Sequence, residues 1–195
     1  MTSSSTADST RDRIVTAARA EFARYGIAGA RITRIAKAAK TSTERLYAYF
    51  RSKEELYAFI AQREMAAVSE ATRLDPTNLP EYAGRVHDYF IRHPDRYRLM
   101  SWGRLELAGA TADPVTRETI RRKTEQLRKA QEAGRLDPSW EPIDILVFLN
   151  QIAMAWAGQL DLVDAVADQI HDPSLTARRA AVVRAVERLF PATGA

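Results

Sequence analysis

Residues 31–56, RITRIAKAAKTSTERLYAYFRSKEEL, hold the side chains most able to do chemistry in this chain. Thr43, Glu44, Arg45, Tyr47 and Tyr49 crowd into one short segment, and Lys53 follows close behind. Aromatic and basic groups on one side of a short helix are the physical form of a major-groove reader. The chemistry is recognition of a nucleic-acid duplex rather than bond breaking.

Such a reader works only if other elements hold it in place. The sequence supplies two short helices, a tight turn and the start of a third helix. Thr33 can cap the first, its hydroxyl accepting from orphan N–H groups. Ile35, Ala36 and Ala39 then form an apolar stripe suited to a short buried helix. Lys40-Thr41 make the turn, and Ser42 caps a second helix over 43–50. Leu46 and Phe50 share the face that packs inward, which leaves the polar and aromatic groups on the other faces. Ser52 caps the next helix, with Glu55 three residues later as a capping box. Lys53 opposes the dipole in that helix's first turn. A cation there makes sense beside a phosphate, because helix N-termini bind anions.

This pattern resembles the DNA-binding domain of TetR-family transcriptional regulators. The matching residues are Ile35-Ala36, Ala38-Ala39, Ser42, Leu46-Tyr47-Ala48-Tyr49-Phe50 and Ser52-Lys53-Glu54-Glu55-Leu56, with Phe22-x-x-Tyr25-Gly26 upstream. The match covers roughly the first 60 residues. Where the family usually has Gly then Val in the turn, this chain has Lys40 and Thr41. A non-glycine residue in a left-handed turn costs on the order of 1 kcal/mol, so either the turn is slightly looser or Lys40 gains a phosphate contact. The resemblance implies backbone contacts from Tyr47, Tyr49 and Lys53, with Thr33 and Arg34 adding theirs from the preceding helix. It also implies that Thr43, Glu44 and Arg45, just after Ser42, face base edges. Arg45 suits bidentate contact with guanine, and Glu44 can accept from cytosine.

Charge supports this reading. Residues 1–55 hold 11 Lys/Arg and 6 Asp/Glu, a net of +5, whereas the remainder nets −1. Localised positive charge is an electrostatic footprint for phosphate.

The rest of the chain bounds the architecture. No apolar run reaches the ~18 residues of a membrane span. The start, MTSSSTADSTRDR, lacks the apolar core of a secretory signal. There is no cysteine, which excludes disulfides and thiolate metal sites. A cytoplasmic location is the simplest expectation. Residues 1–8 are expected to be a disordered tail, 9–54 the helix-turn-helix domain, and 55–195 a helical effector-binding and dimerisation domain. No segment alternates at period two, so the expected fold is all-α with about nine helices. The first begins at Asp8 or Ser9 and ends at Gly26. The fourth runs from about Lys53 to Arg73, followed by helices over 80–92, 94–107, 114–133, 141–166 and 173–189.

Ile143, Leu146, Val147, Leu149, Ile152, Ala153, Trp156 and Leu160 nearly circle the helix expected over 141–166. Such a helix must be covered on more than one side. A monomer core is one account; the expected one is a dimer interface made by the last two helices of each chain, as the family uses. A two-fold protein also suits a reader of this kind, since readers one helical turn apart meet successive major grooves.

The phrase His93-Pro94-Asp95-x-x-Arg98-Leu99-x-x-Trp102-x-x-Leu105-Glu106 resembles a C-terminal domain subtype of some of these regulators. Family members often hold an effector there. Candidate liners are Tyr89, Phe90, Met100, Trp102, Phe148, Gln151, Met154 and Trp156, although residues at such spacing also suit plain core. Asn150 and Gln151 could orient a ligand or pair across a dimer. The three histidines, His87, His93 and His171, form no metal-ligand spacing, and there is no Gly-rich phosphate loop or nucleophile elbow. No cofactor, no metal and no enzymatic activity are expected; a helical enzyme or a DNA-free scaffold remain the alternatives. The resemblance implies a dimeric repressor released from a palindromic operator by an unknown small molecule.

Overall fold

Glycine and proline punctuate the chain where its helices stop and start. In the computed structural model the described residues are 3–107 and 113–191, with side chains from Thr10 onward. Among them are ten helices and no strand: α1 (Ser3–Gly29), α2 (Ile32–Ala38), α3 (Thr43–Tyr49), α4 (Lys53–Ala71), α5 (Leu79–Arg92), α6 (Pro94–Glu106), α7 (Pro114–Glu132), α8 (Pro142–Ala153), α9 (Asp161–Ala165) and α10 (Leu175–Leu189). The all-α expectation holds, with one helix more than the pattern suggested. The apolar stretch 141–166 is not continuous: α8 ends at Ala153, and Gly158, with φ +77°, turns the chain before α9. Trp156 and Leu160 therefore lie beyond the helix they were expected to share.

α1 begins at Ser3, ahead of the expected start, and no glycine or proline interrupts it before Gly26. The side chains of Asp8 and Ser9, and residues 1–2 of the expected tail, lie outside the described residues. Thr33 does not cap α2. The cap position is Arg31, which makes no side-chain cap bond; its own N–H donates to Glu21 at 2.9 Å. Ser42 does cap α3, accepting from the Arg45 N–H at 3.1 Å. Ser52 accepts from the Glu55 N–H at 3.0 Å, while the Glu55 carboxylate reaches back to the Arg51 N–H at 2.8 Å.

The described residues pack as two compact units, 3–65 with 95–107 and 66–94 with 113–191. In the first, Ile14, Phe22, Ile35, Leu46, Leu56 and Leu99 are fully buried. Each such side chain contributes about 1.5–3 kcal/mol of burial. Phe22 and Tyr57 meet edge to face at 5.4 Å. Leu99 brings α6 into this core, where the Tyr57 hydroxyl donates to its carbonyl at 2.9 Å. Glu64 of α4 pairs with Arg19 of α1 at 3.3 Å and Arg96 of α6 at 3.0 Å.

Gly26 breaks α1 at φ +72°, which exposes the N–H groups that follow. The Glu106 carboxylate at the end of α6 accepts both, from Ile27 at 3.0 Å and Ala28 at 2.6 Å. An anion facing free N–H groups is favourable for the reason that anions favour helix starts.

In the second unit α10 lies on α5, and α5 and α7 both pack on α8. Leu79, Tyr82, Ala83 and Val86 line the buried face of α5. Arg179 of α10 bonds Asp88 at 2.9 Å and Glu81 at 3.0 Å, both on α5.

The Gly26 break yields a prediction. A Cβ at that position would strain a left-handed backbone and meet both Glu106 Oε1 and the Trp102 ring. Gly26→Ala is expected to lower unfolding stability by about 1–3 kcal/mol in urea denaturation. An unchanged midpoint would mean that the break is not needed.

Candidate nucleic-acid interface

α3 is only seven residues long, so its position is set by what it buries. Leu46 is 0 % exposed and Phe50 2 %. The turn before it is shaped by Lys40, the one described non-glycine residue with positive φ, at +53°. That is the left-handed conformation its place in the turn implied. Two backbone bonds close the turn, Lys40 N–H to the Lys37 carbonyl at 3.2 Å and Thr41 N–H to the Ala36 carbonyl at 3.0 Å. Arg13 of α1 anchors it further, with its Nε donating to the Ala39 carbonyl at 3.0 Å.

With the inner face fixed, the outer face is defined. Glu44, Arg45 and Tyr47 are exposed and Thr43 is half-buried. Tyr47 is 47 % exposed, a large aromatic left in water. Tyr49 is partly buried against the core below. The Glu44 carboxyl is held below its usual range by its own backbone N–H and by the Ser42 hydroxyl, so it stays an acceptor at neutral pH. Ser42, Lys40 and Thr33 are exposed around this face. Donors, an acceptor and an aromatic hydroxyl thus stand side by side on one short helix and its entry turn.

Two of the cations already have partners. Arg34 donates from Nε to Glu21 Oε1 at 2.6 Å and from Nη2 to the Gly29 carbonyl at 2.9 Å, and it stacks over Tyr25 at 4.3 Å. The Glu21 bond raises its pKa, so the arginine is firmly charged. Lys53 donates to the carbonyls of Ala28 and Ala30, at 3.2 and 3.4 Å. The cation at the start of α4 therefore serves the end of α1, where carbonyls lack helical partners. The roles of Glu21, Arg13 and Glu106 were not read from the sequence. Glu21 accepts from Arg31, Arg13 donates to Ala39 and Glu106 accepts from Ile27, at separations of 10, 26 and 79 residues, so no local pattern marks these bonds.

The eight candidate effector residues do not fall in one compact unit. Met100 and Trp102 belong to the first and the other six to the second. Tyr89, Phe90 and Met154 are buried, and the rings of the first two meet edge to face at 5.4 Å. Trp156 is half-buried, with the Arg178 guanidinium 5.1 Å above its ring. Phe148 and Gln151 are exposed, and Phe148 contacts Trp140 at 5.8 Å. Asn150 bonds within its own chain, accepting from the Tyr82 hydroxyl at 3.3 Å and donating to the Leu146 carbonyl at 2.7 Å.

Comparison with known proteins agrees with this geometry. Residues 14–60 match the family model for bacterial regulatory proteins of the tetR family, and residues 78–188 match a Tetracyclin repressor-like C-terminal domain. The chain is similar to the HTH-type transcriptional repressor SCO4008 of Streptomyces coelicolor, at 37% identity over 77% of this chain and 79% of that protein. It is also similar to the HTH-type transcriptional repressor NicS of Pseudomonas putida, at 38% identity over 46% of this chain and 45% of that one. Among solved structures, SCO4942 of Streptomyces coelicolor, a proposed transcriptional regulator, superposes with a TM-score of 0.85. It is 60% identical, over 93% of this chain and 98% of that one. The N-terminal motif, the C-terminal match and the near full-length relative agree: the chain belongs to the TetR family of bacterial transcriptional regulators.

Proposed function

We propose that the protein is a cytoplasmic, dimeric repressor that binds a palindromic operator and leaves it when a small-molecule effector binds. DNA-binding repression is the activity of the family. The reading for this chain rests on one observation above the others: α3 buries Leu46 and presents Glu44, Arg45 and Tyr47 to solvent from a capped, locked position. Arg45 and Glu44, with Thr43, then read base edges. Tyr47, Tyr49, Lys40, Ser42 and Thr33 hold phosphates, joined by Arg34 and Lys53 once they share or exchange their internal partners. No described helix is long and apolar enough to cross a membrane.

The dimer surface is proposed on α8 and α10. Ile143, Val147 and Phe148 of α8 are exposed, although the opposite side of that helix is buried through Ile145 and Leu149. Leu175 and Leu189 of α10 are exposed too. A helix that is apolar on both sides needs a second cover, and exposed apolar patches of this kind mark association surfaces. α4 runs from the first unit into the second, its residues to Met65 in one and from Ala66 in the other. An effector that binds the second unit acts through this helix, by favouring one spacing of the two readers over another.

Two measurements test this. In selection from a random duplex pool, the protein is expected to enrich an inverted repeat. Arg45→Ala should lose about 1–3 kcal/mol of discrimination at one base pair in each half-site, while Tyr47→Ala weakens all sequences alike. Affinity within about twofold of wild type for both variants would show that α3 is not the reader. For the dimer, light scattering should give twice the 21.9 kDa chain mass. Val147→Glu should shift it toward the single chain, and a wild-type monomer at micromolar concentration would exclude the interface.

A further inference from the structure

Lys123 stands on the side of α7 that carries its two buried residues. It shares a helical face with Leu127, which is fully buried, and with Ala130. Its Nζ donates to the Tyr82 hydroxyl at 3.1 Å, and that hydroxyl donates onward to Asn150 Oδ1 at 3.3 Å. Asn150 in turn is fixed on the Leu146 carbonyl. This relay aims the ammonium but supplies no negative charge, and two of its three protons are left over. Burial, and then the neighbouring Arg122, bring its pKa down to about 8.

Beside Lys123 lies a cleft of about 260 Å³ whose lining includes Ser69, Glu70, Arg73, Arg122, Lys123 and Gln126. Glu70 is the single carboxylate among these, and Arg73 already engages it. Arg122 Nη2 lies 3.5 Å from Ser69 Oγ. Arg85 of α5 adds a further cation, bonded to the Arg73 carbonyl at 3.0 Å. Three cations thus line a cleft whose one carboxylate is already paired, Arg85 stands beside Arg73, and half-buried Lys123 makes no ion pair among the described residues.

We propose that this cleft binds the compact oxyanion head, carboxylate or phosphate, of a small metabolite on Lys123 Nζ. Arg122 adds charge, and Ser69 and Gln126 supply neutral donors. A half-buried ammonium held by a hydroxyl and over the Tyr82 ring, 5.3 Å from its centroid, has no counter-charge there, and an oxyanion supplies one while filling the spare donor positions. The proposal deepens the effector-responsive reading above and rests on it: the head group becomes the chemical class by which the effector is recognised. Ser69 and Glu70 lie on α4, so the bound head touches the helix that continues from the reader.

The test uses the full chain without DNA. The protein has five lysines, so selective ¹³C labelling resolves the ε-carbon of Lys123. Its titration midpoint is expected near 8. Saturating acetate or inorganic phosphate should raise that midpoint by roughly one unit, about a tenfold preference for the charged form. Neutral acetamide should leave it in place. Lys123→Met keeps the length of the stem and removes a poorly solvated charge, so the fold is expected to persist while probe binding drops at least tenfold; Arg122→Gln should weaken binding less. A shift with only one probe supports the proposal and tells carboxylate from phosphate. The proposal is overturned if neither probe shifts Lys123 beyond sodium chloride at equal ionic strength, or if Lys123→Met binds as wild type does. The wild-type titration stands even where a variant fails to fold. Failure here leaves operator binding untouched, whereas loss of operator binding by a protein that still takes the probe would count against the DNA reading alone.

Discussion

Two helices of seven residues cannot hold themselves up in water. Isolated helices shorter than about 12–15 residues are marginal even with favourable sequences. α2 and α3 are each seven residues long, so the reader exists only as far as the rest of its unit holds it. Ile35, Leu46 and Phe50 are buried with Phe22 of α1, Leu56 and Tyr57 of α4 and Leu99 of α6. The ionic layer repeats the arrangement, since Glu64 joins Arg19 to Arg96 and so ties three helices together. Glu106 adds the last tie where α1 breaks. The outer face of α3 can be polar and unsupported because the inner face and its surroundings carry the whole cost of order.

Much of this was legible, and what was legible was local. Ser42 reads as a cap because its partner is three residues away, and the structure uses it so. Lys40 stands where the resemblance places a glycine suited to a left-handed turn, and its φ is +53°. Gly26 reads as a helix end, and it breaks α1. Long-range partnerships were not legible. Nothing near Glu106 announces that it closes a break 79 residues upstream. Nothing near α6 says that it packs with the N-terminal helices; its distance in the chain suggested the opposite. Lys53 looked like an unfavourable charge at a helix start. Its answer was a pair of carbonyls more than twenty residues earlier. Thr33 misled because threonine is a good cap, but the helix begins one residue before it.

The second unit shows the same division. The apolar run over 141–166 was expected to be one helix, but α8 ends at Ala153 and a run of turns leads to α9, a break that apolar periodicity does not mark. Asn150 stood out as polar among apolar neighbours, and two roles were open for it. It has a third, holding Tyr82 beneath a lysine from another helix. In the sequence that lysine is only the last of the run Arg121-Arg122-Lys123. Only the packing of α7 separates Lys123 from its neighbours.

Arg34 and Glu21 carry one further consequence. The arginine reaches any duplex with its charge already answered at 2.6 Å. As a unit the pair is neutral, so settling it against a phosphate releases fewer condensed cations than a bare arginine would. The logarithm of affinity falls with the logarithm of salt by about 0.9 for each phosphate truly neutralised. Counting phosphates from that slope would therefore undercount the atoms that touch DNA. The difference between the two counts measures how much of the protein's grip is rearranged from bonds it held before.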